Sequence, residues 1–269
     1  KYIVDHIVKN SIEPIIEDIV KNNSEKEIQI EKILSLKILD PAMGSGHFLV
    51  GAVEYVATRL CEIEFSEILE QNYIEKKRDV VRRCIYGVDI NPLSVDLARL
   101  SLWLETLSSD KPLSFLSAHL KTGNSLIGMD LQSIFEKQTT LFESEKGRSV
   151  FKKNLKKFLM FENLEDDSTS TVKMKLEEYA KMQSNGTVYY DLKFLLDCKI
   201  GENFGITIPN LGDYRAKVGE NSLDFYTDEN FQKIKLLSNS IQFFHWELEF
   251  PQIFYDENGH RKKNFGFDV

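Results

Sequence analysis

The fold is decided by the stretch Asp40-Pro41-Ala42-Met43-Gly44-Ser45-Gly46-His47-Phe48-Leu49. A short apolar run, 37–39, precedes it, and apolar residues at helical spacing follow it at positions 49, 53, 56 and 60. A strand, a glycine-rich turn and a helix in this order are typical of the first unit of a doubly wound α/β sheet. Glycine at such a turn lets a ligand approach the backbone, and an acid at the strand end can accept hydrogen bonds from a cationic amine. A single turn of this kind also occurs where an ordinary connection needs glycine.

The same pattern recurs further along the chain. Cys84-Ile85-Tyr86-Gly87-Val88-Asp89 is a second apolar run ending at an acid, and Asn91 and Pro92 are signals for the start of a helix. Leucines then recur at spacings of four and three, which predicts one buried helix face made of Leu93, Leu97, Leu100, Leu104 and Leu107. The segment 119–124 predicts a third strand leading into a turn. We therefore expect parallel, adjacent strands near 37–40, 85–89 and 119–122, with Gly44, Gly46 and Asp89 facing one cleft.

The remaining segments predict a second, mostly helical part. Isoleucine and valine at helical spacing predict a helix over 1–20, interrupted at Pro14, and the polar segment 21–32 predicts a loop. We expect a charged helix through residue 83, helices over 131–185 with a surface loop at 165–170, no clear periodicity over 186–226, and a helix over 228–242. Residues 265–269 predict the opening of another core strand. The predicted domains are an α/β domain at 1–130, an insertion at 131–240, and a return to the α/β core at 241–269.

Composition excludes several classes of protein. The chain has 269 residues and a net charge of −8, with neither a long apolar run nor a signal-peptide pattern, so we expect a cytoplasmic protein. The cysteines, Cys61, Cys84 and Cys198, lack metal-site or disulfide spacing, so we expect buried thiols and no metal. A domain that holds DNA by itself usually carries a basic face. If this chain acts on DNA, the main DNA-reading surface is therefore expected elsewhere in the polypeptide or in a partner.

These motifs resemble those of amino-group DNA methyltransferases, most closely the Type IIG restriction–modification enzymes that fuse methylation and cleavage. The stretch 40–49 resembles their motif I. The stretch 86–92, with the helix 100–105, resembles motif II; Gly123-Asn124-Ser125-Leu126-Ile127-Gly128 resembles motif III; and 244–251 is similar to the aromatic segment before the catalytic motif. The resemblance covers roughly 1–130 and 240–269. It implies an S-adenosylmethionine-dependent methyltransferase sheet and a site-specific adenine-N6 DNA methyltransferase module of a restriction–modification or phage-defence enzyme. Double-stranded DNA would be bound mostly by regions outside this chain, and a nuclease and a target-recognition domain can be fused to such enzymes.

The resemblance also implies a set of residues that bind S-adenosylmethionine: Asp40, Ala42, Met43, Gly44, Gly46, Phe48, Asp89, Ile90 and Asn124. Asp40 and the loop Ala42–Gly46 would hold the methionine end. Asp89 would accept hydrogen bonds from the ribose hydroxyls, and Ile90 would pack on the adenine ring. Asn124 would accept a hydrogen bond from the adenine amino group, or it is a turn residue chosen because it tolerates a left-handed backbone. Phe48 packs beside the cofactor or, in the safer interpretation, in the core.

No catalytic residue is expected within the chain. The family's Asn-Pro-Pro-Tyr motif does not occur in 1–269, and neither does the motif ending Tyr-Thr-Pro that closes over the methionine moiety. We expect the former within about ten residues after Val269, and we expect this chain alone to bind the cofactor without methylating DNA. His245 and Trp246 could line a pocket for a flipped base, although core positions are favoured. The basic residues of 146–157 and 261–263 could contact phosphates, although a solvated helix face is favoured.

Two other functions remain open. The first is a nicotinamide-dependent oxidoreductase, against which the third glycine of the dinucleotide fingerprint is missing. In addition, Asp89 lies more than forty residues after Gly46, where the fingerprint expects about twenty. The second is a non-catalytic, cofactor-binding scaffold.

Overall fold

A parallel sheet of three strands lies in the first of two units in the computed structural model of the chain. The strands are β1 (Ile38–Asp40), β2 (Ile85–Asp89) and β3 (Leu120–Thr122), in the order β1-β2-β3. Asp40 pairs with Gly87, and Asp89 pairs with Thr122. The predicted parallel arrangement of these three segments is therefore confirmed.

The structure describes residues 2–67, 69–107, 116–135, 145–164, 166, 168–184, 186–209, 211, 214, 218 and 229–269. The first unit comprises Lys1–Thr122, Asp166–Val172 and Gly266–Val269, and the second comprises Gly123–Glu165 and Lys173–Phe265.

Five helices accompany the sheet in the described part of the first unit: α1 (Tyr2–Asn22), α2 (Lys26–Leu34), α3 (His47–Glu64), α4 (Glu70–Arg83) and α5 (Pro92–Glu105). Their apolar faces share one core with the strands; the residues predicted to form the stripe of α3, Leu49, Val53, Val56 and Leu60, are all buried in it. The segment predicted to open another strand runs beside β1. Asp268 N–H donates to Lys37 O at 2.8 Å, and Leu39 N–H donates to Val269 O at 2.9 Å.

Two expectations about the first 34 residues are wrong. The helix α1 is continuous through Pro14, because Ile12 and Ile16 on either side of it are buried and hold both halves against the core. The segment expected as a loop, 21–32, contains the end of α1 and most of α2. The exposed face of α2 is charged, which hid the helix, but its last turn buries Ile33 and Leu34.

The leucine face predicted to be buried on α5 is exposed. Leu93, Leu97, Leu100 and Leu104 expose between 44% and 64% of their surface, and Leu107, beyond the helix end, is also exposed. The face turned to the core consists instead of Val95, Ala98 and Leu102. These three also follow helical spacing, but they are smaller on average, as the close approach to Gly46 requires: a Cβ on that glycine would lie 3.1 Å from the Cβ of Ala98.

The described part of the second unit is helical. Its helices are α6 (Gln132–Phe135), α7 (Glu145–Asn163), α8 (Thr169–Met182, whose first residues belong to the first unit), α9 (Val188–Asn203), α10 (Glu229–Ile241), α11 (Trp246–Glu249) and α12 (Pro251–Phe254). The helix α9 lies where no periodicity was found. Half of its residues are buried, so its sequence lacks the polar face that makes a helix recognisable.

Candidate functional site

Asp89 joins the end of β2 to the glycine-rich turn that follows β1. Its Oδ2 accepts a hydrogen bond from Gly44 N–H at 2.8 Å, and its Oδ1 accepts one from Asn91 N–H at 2.8 Å. Asn91 caps α5 as predicted, because its Oδ1 accepts from Leu93 N–H at 3.0 Å. Each carboxylate oxygen of Asp89 keeps a further lone pair, so the group can accept two more hydrogen bonds from a ligand.

Asp40 is the second carboxylate at this edge of the sheet. Its Oδ1 accepts a hydrogen bond from Ala42 N–H at 3.0 Å. Burial raises the pKa of Asp40, the negative charge of Asp89 raises it further, and the hydrogen bond from Ala42 opposes both. A cationic group placed beside the two acids would relieve this repulsion and stabilise the charged form of Asp40.

The two glycines of the turn have different surroundings. Gly44 has a φ of +55°, and a Cβ built on it would meet no atom within 4 Å. Gly46, at the start of α3, has a φ of +82° and lies against Ala98. Both therefore need the left-handed conformation, but only Gly44 borders open space, where a ligand could approach the backbone.

The side chain of Met43 lies beneath the turn. It is buried, and a Cβ on Gly87 would lie 2.3 Å from its Sδ. Its N–H donates to Val88 O at 3.0 Å. Met43 thus anchors the turn to β2 through both its backbone and its side chain.

The remaining predicted site residues of the first unit are exposed. Ala42 lies on the surface, and Ile90 exposes 52% of its surface directly after Asp89. Phe48 exposes 38%, so its interpretation as a core residue is wrong. His47 is exposed, and its Nδ1 lies 3.0 Å from Ser45 Oγ.

Asn124 belongs to the second unit and shapes a turn there. Its N–H donates to Gln242 O at 2.7 Å, and its Oδ1 accepts from Leu126 N–H at 3.1 Å. Gln242 is the only non-glycine residue of the described chain with a positive φ. The left-handed interpretation of Asn124 is therefore wrong, although it is a turn residue.

The aromatic segment after α10 places buried polar side chains in the interior of the second unit. His245 is wholly buried; its Nδ1 accepts from Met129 N–H at 3.1 Å, and its Nε2 lies 2.8 Å from Asp197 Oδ1. A backbone N–H can only donate, so the ring carries its hydrogen on Nε2 and donates it to Asp197. Because both ring nitrogens are engaged, the core interpretation of His245 is confirmed. Trp246, which is half-buried, donates from Nε1 to Ser125 O at 3.2 Å.

Glu247 is a second buried group that sequence reasoning missed. It accepts hydrogen bonds from Leu131 N–H at 2.9 Å and Tyr255 Oη at 2.8 Å, and it pairs with Arg261 at 2.7 Å. Arg261, considered as a phosphate contact, is thus committed to an internal carboxylate. A glutamate inside an aromatic run would have been the signal, because a charge at a buried position requires partners.

Neither a metal-binding cluster nor a membrane-spanning helix is found among the residues described. These residues contain no group of three or more side chains suited to holding a metal ion. The helices they form include none long and apolar enough to cross a membrane.

Two family models match the chain. The family model for the MmeI DNA-methyltransferase domain matches residues 16–133, which span all three strands. A second model, for the Eco57I restriction-modification methylase, matches residues 83–269, which is more than half of the chain. The chain belongs to the Eco57I restriction-modification methylase family.

Three curated relatives carry related names. A protein of Methanocaldococcus jannaschii, named as a type II restriction enzyme and methyltransferase, is 28% identical over 47% of this chain. The type II restriction enzyme and methyltransferase Eco57I of Escherichia coli is 30% identical over 45%, and the adenine-specific methyltransferase PglX of Streptomyces coelicolor is 30% identical over 43%. The matches span only 14%, 14% and 10% of these relatives, respectively. No solved structure matches the chain.

Proposed function

We propose that the chain is the S-adenosylmethionine-binding module of a site-specific DNA methyltransferase that methylates adenine at N6. The observation that carries the proposal is the pair of acids, Asp40 and Asp89, at the carboxyl ends of adjacent parallel strands beside the open turn at Gly44. Ligands of doubly wound sheets bind at this edge. Adenine as the target base is supported by the name of the Streptomyces coelicolor relative.

The residues at this edge fit the cofactor chemically. Burial raises the pKa of Asp40, and the ammonium group of the methionine end would stabilise the charged form of this carboxylate. The space above Gly44 admits that end against the backbone. The free lone pairs of Asp89 suit two vicinal ribose hydroxyls, and the exposed side chain of Ile90 suits one face of the adenine ring. Ala42 and Gly46 contribute the backbone of the same loop, and Phe48 an exposed apolar ring. The contact of Asn124 with the adenine amino group stays a prediction.

S-Adenosylmethionine, when bound, supplies an activated methyl group. The work of the residues named here is to bind and orient it, and positioning of this kind can supply much of a rate enhancement. Attack by the target amino group would use the Asn-Pro-Pro-Tyr motif that the resemblance implies. We assign most DNA recognition to other parts of the enzyme.

Calorimetric titration of the chain with S-adenosylhomocysteine tests the proposal. We expect micromolar or weaker binding, equivalent to about −8 kcal/mol or less in magnitude. Replacing Asp89 by alanine removes charge-assisted hydrogen bonds worth about 1.5–3 kcal/mol, which weakens binding about 10- to 100-fold. Asp96→Ala, which removes an exposed carboxylate from α5, is the matched control and should leave binding unchanged.

A second variant separates binding from folding. Asp89→Ala also removes the acceptor for Gly44 N–H, whereas Ile90 is half exposed and contributes little to the core. Ile90→Ala should therefore keep the fold and weaken binding by about 1–2 kcal/mol, from the loss of apolar contact. Binding of NAD in place of S-adenosylhomocysteine would instead support the oxidoreductase.

A further inference from the structure

One helix of the second unit departs from the acidic character of the chain. The chain as a whole has a net charge of −8, but α7 carries six basic and two acidic residues. The basic residues are concentrated in the sequence Lys152-Lys153-Asn154-Leu155-Lys156-Lys157. A concentration of one charge against the sign of the whole chain indicates a local function rather than general solubility.

The lysines lie opposite the apolar face of the helix. Phe151, Leu155 and Phe158 are buried, whereas Lys153 and Lys156 are exposed and Lys152 is half-buried. Residues three or four positions apart are neighbours on a helix surface, so the three lysines form one patch. We call Lys152, Lys153 and Lys156 the lysine face of α7.

Neighbouring acids do not neutralise the lysine face. Among the residues that the structure describes, its three lysines form no ion pair. The adjacent Lys157 does, with Glu178, which also binds Lys181; these two lysines lower the pKa of Glu178 to about 2 and keep it charged. Like charges at these spacings repel one another, so the arrangement gains nothing for the helix by itself.

Several lysines elsewhere in the described chain have an acidic partner. Lys9 pairs with Glu13, and Lys233 pairs with Glu229, each one turn away on its own helix. Buried Lys77 pairs with Glu105 of another helix. These charges are each compensated by an acid, whereas the lysine face of α7 concentrates on one side of a helix three lysines that form no ion pair among the described residues.

We propose that the lysine face of α7 binds the phosphate backbone of the DNA duplex. The proposal rests on the proposed function, because the DNA substrate is a polyanion whose charge is opposite to that of the lysines. Lysine is a flexible point charge that contacts phosphates without reading bases, so this surface would hold the duplex irrespective of sequence. It adds a DNA contact within a chain whose overall acidity directs most DNA recognition elsewhere.

Fluorescence anisotropy with a labelled 30-base-pair duplex, from 50 to 200 mM NaCl, tests the proposal. The test variant is Lys152→Gln/Lys153→Gln/Lys156→Gln. The matched control is Lys21→Gln/Lys26→Gln/Lys235→Gln, which removes three exposed, dispersed lysines and changes the net charge equally. Glutamine has nearly the same helix propensity as lysine, so both variants should fold.

We expect the test variant to bind the duplex about tenfold or more weakly at 50 mM salt. The magnitude of the negative slope of log K against log salt should decrease by up to about 2.7, which is about 0.9 for each lost phosphate contact. The control should retain most of the affinity and the slope. Equal losses in both variants would show that only net charge matters and would overturn the proposal, as would an unmodified chain that does not bind the duplex. Tighter binding to anionic phospholipid vesicles than to the duplex would assign the surface to another partner.

Titration of the same proteins with S-adenosylhomocysteine separates this inference from the proposed function. We expect the unmodified chain and both variants to bind it equally. If none of them binds it while the lysine variant alone loses the duplex, the proposed function fails and the phosphate-binding surface stands.

Discussion

Substitution of Gly44 and Gly46 by alanine separates the two roles of the glycine-rich turn. Both residues have a positive φ, so either alanine incurs the left-handed penalty of about 1–2 kcal/mol. The Cβ of Gly46→Ala would also press on Ala98 at 3.1 Å, and overpacking of this kind costs a further 1–3 kcal/mol or so. We therefore expect a loss of about 1–2 kcal/mol in the free energy of unfolding for Gly44→Ala and about 2–5 kcal/mol for Gly46→Ala.

Urea unfolding, followed by the fluorescence of Trp103 in a Trp246→Phe background, reports on the first unit. Adding Ala98→Gly to Gly46→Ala should recover part of the loss; recovery is incomplete because the Cα of Ala98 would still lie 3.2 Å from the new Cβ. Ligand binding should follow the opposite order. Gly44→Ala fills the open space and should weaken S-adenosylhomocysteine binding more than tenfold, despite its small effect on folding.

Two results would refute this reasoning. Equal losses of stability for the two substitutions would mean that the contact with Ala98 does not restrict position 46. Unchanged ligand binding in Gly44→Ala would mean that the open space above Gly44 is not the place where the ligand approaches.

Two further predictions concern buried and half-buried charges. His245→Ala removes one hydrogen bond from the buried carboxylate of Asp197, which keeps its ion pair with Lys193, and leaves Met129 N–H without its acceptor. It should lower the free energy of unfolding by about 1–3 kcal/mol in urea, whereas the exposed His260→Ala should change it by less than about 0.5 kcal/mol. Similar values for the two would contradict the buried hydrogen bonds of His245. Because the pKa of Asp40 is raised in the folded state, its contribution to stability is lost as pH rises through that pKa. Asp40→Asn should therefore unfold at a higher urea concentration than the unmodified chain at pH 7, and the difference should disappear as pH falls towards the ordinary aspartate pKa near 3.9. A gain in stability that persists at pH 3 would argue against titration of Asp40.

The strands and the acids at their ends could be predicted because each depends on a short stretch of sequence. An apolar run ending at an acid, followed by a glycine turn or by an N-cap such as Asn91, identifies β1 and β2 without long-range information. Parallel pairing then brings Asp40 and Asp89 to one edge. The contact of Gly44 N–H with Asp89 follows from that arrangement, although its geometry needed the structure.

The orientation of α5 could not be predicted, because its two faces follow equally good helical spacing. The leucines are larger and more apolar than Val95, Ala98 and Leu102, and hydrophobicity alone therefore favours the wrong face. The deciding contact, between Ala98 and Gly46, joins residues 52 positions apart and depends on packing that no local pattern encodes. The partners of His245 and Glu247 were missed for the same reason.

The hydrogen bonds between Lys37 and Asp268 join residues 231 positions apart, and this has a consequence during synthesis. The three strands of the sheet are complete once Thr122 has left the ribosome. At about 5–20 residues per second, Val269 leaves the ribosome roughly 7–30 s later. Throughout that interval, the edge of β1 that later receives Asp268 and Val269 is an unpaired template for other nascent chains on the same message. That edge therefore pairs only after residues 123–265 have been synthesised, and a pause in translation between these points would prolong the exposure.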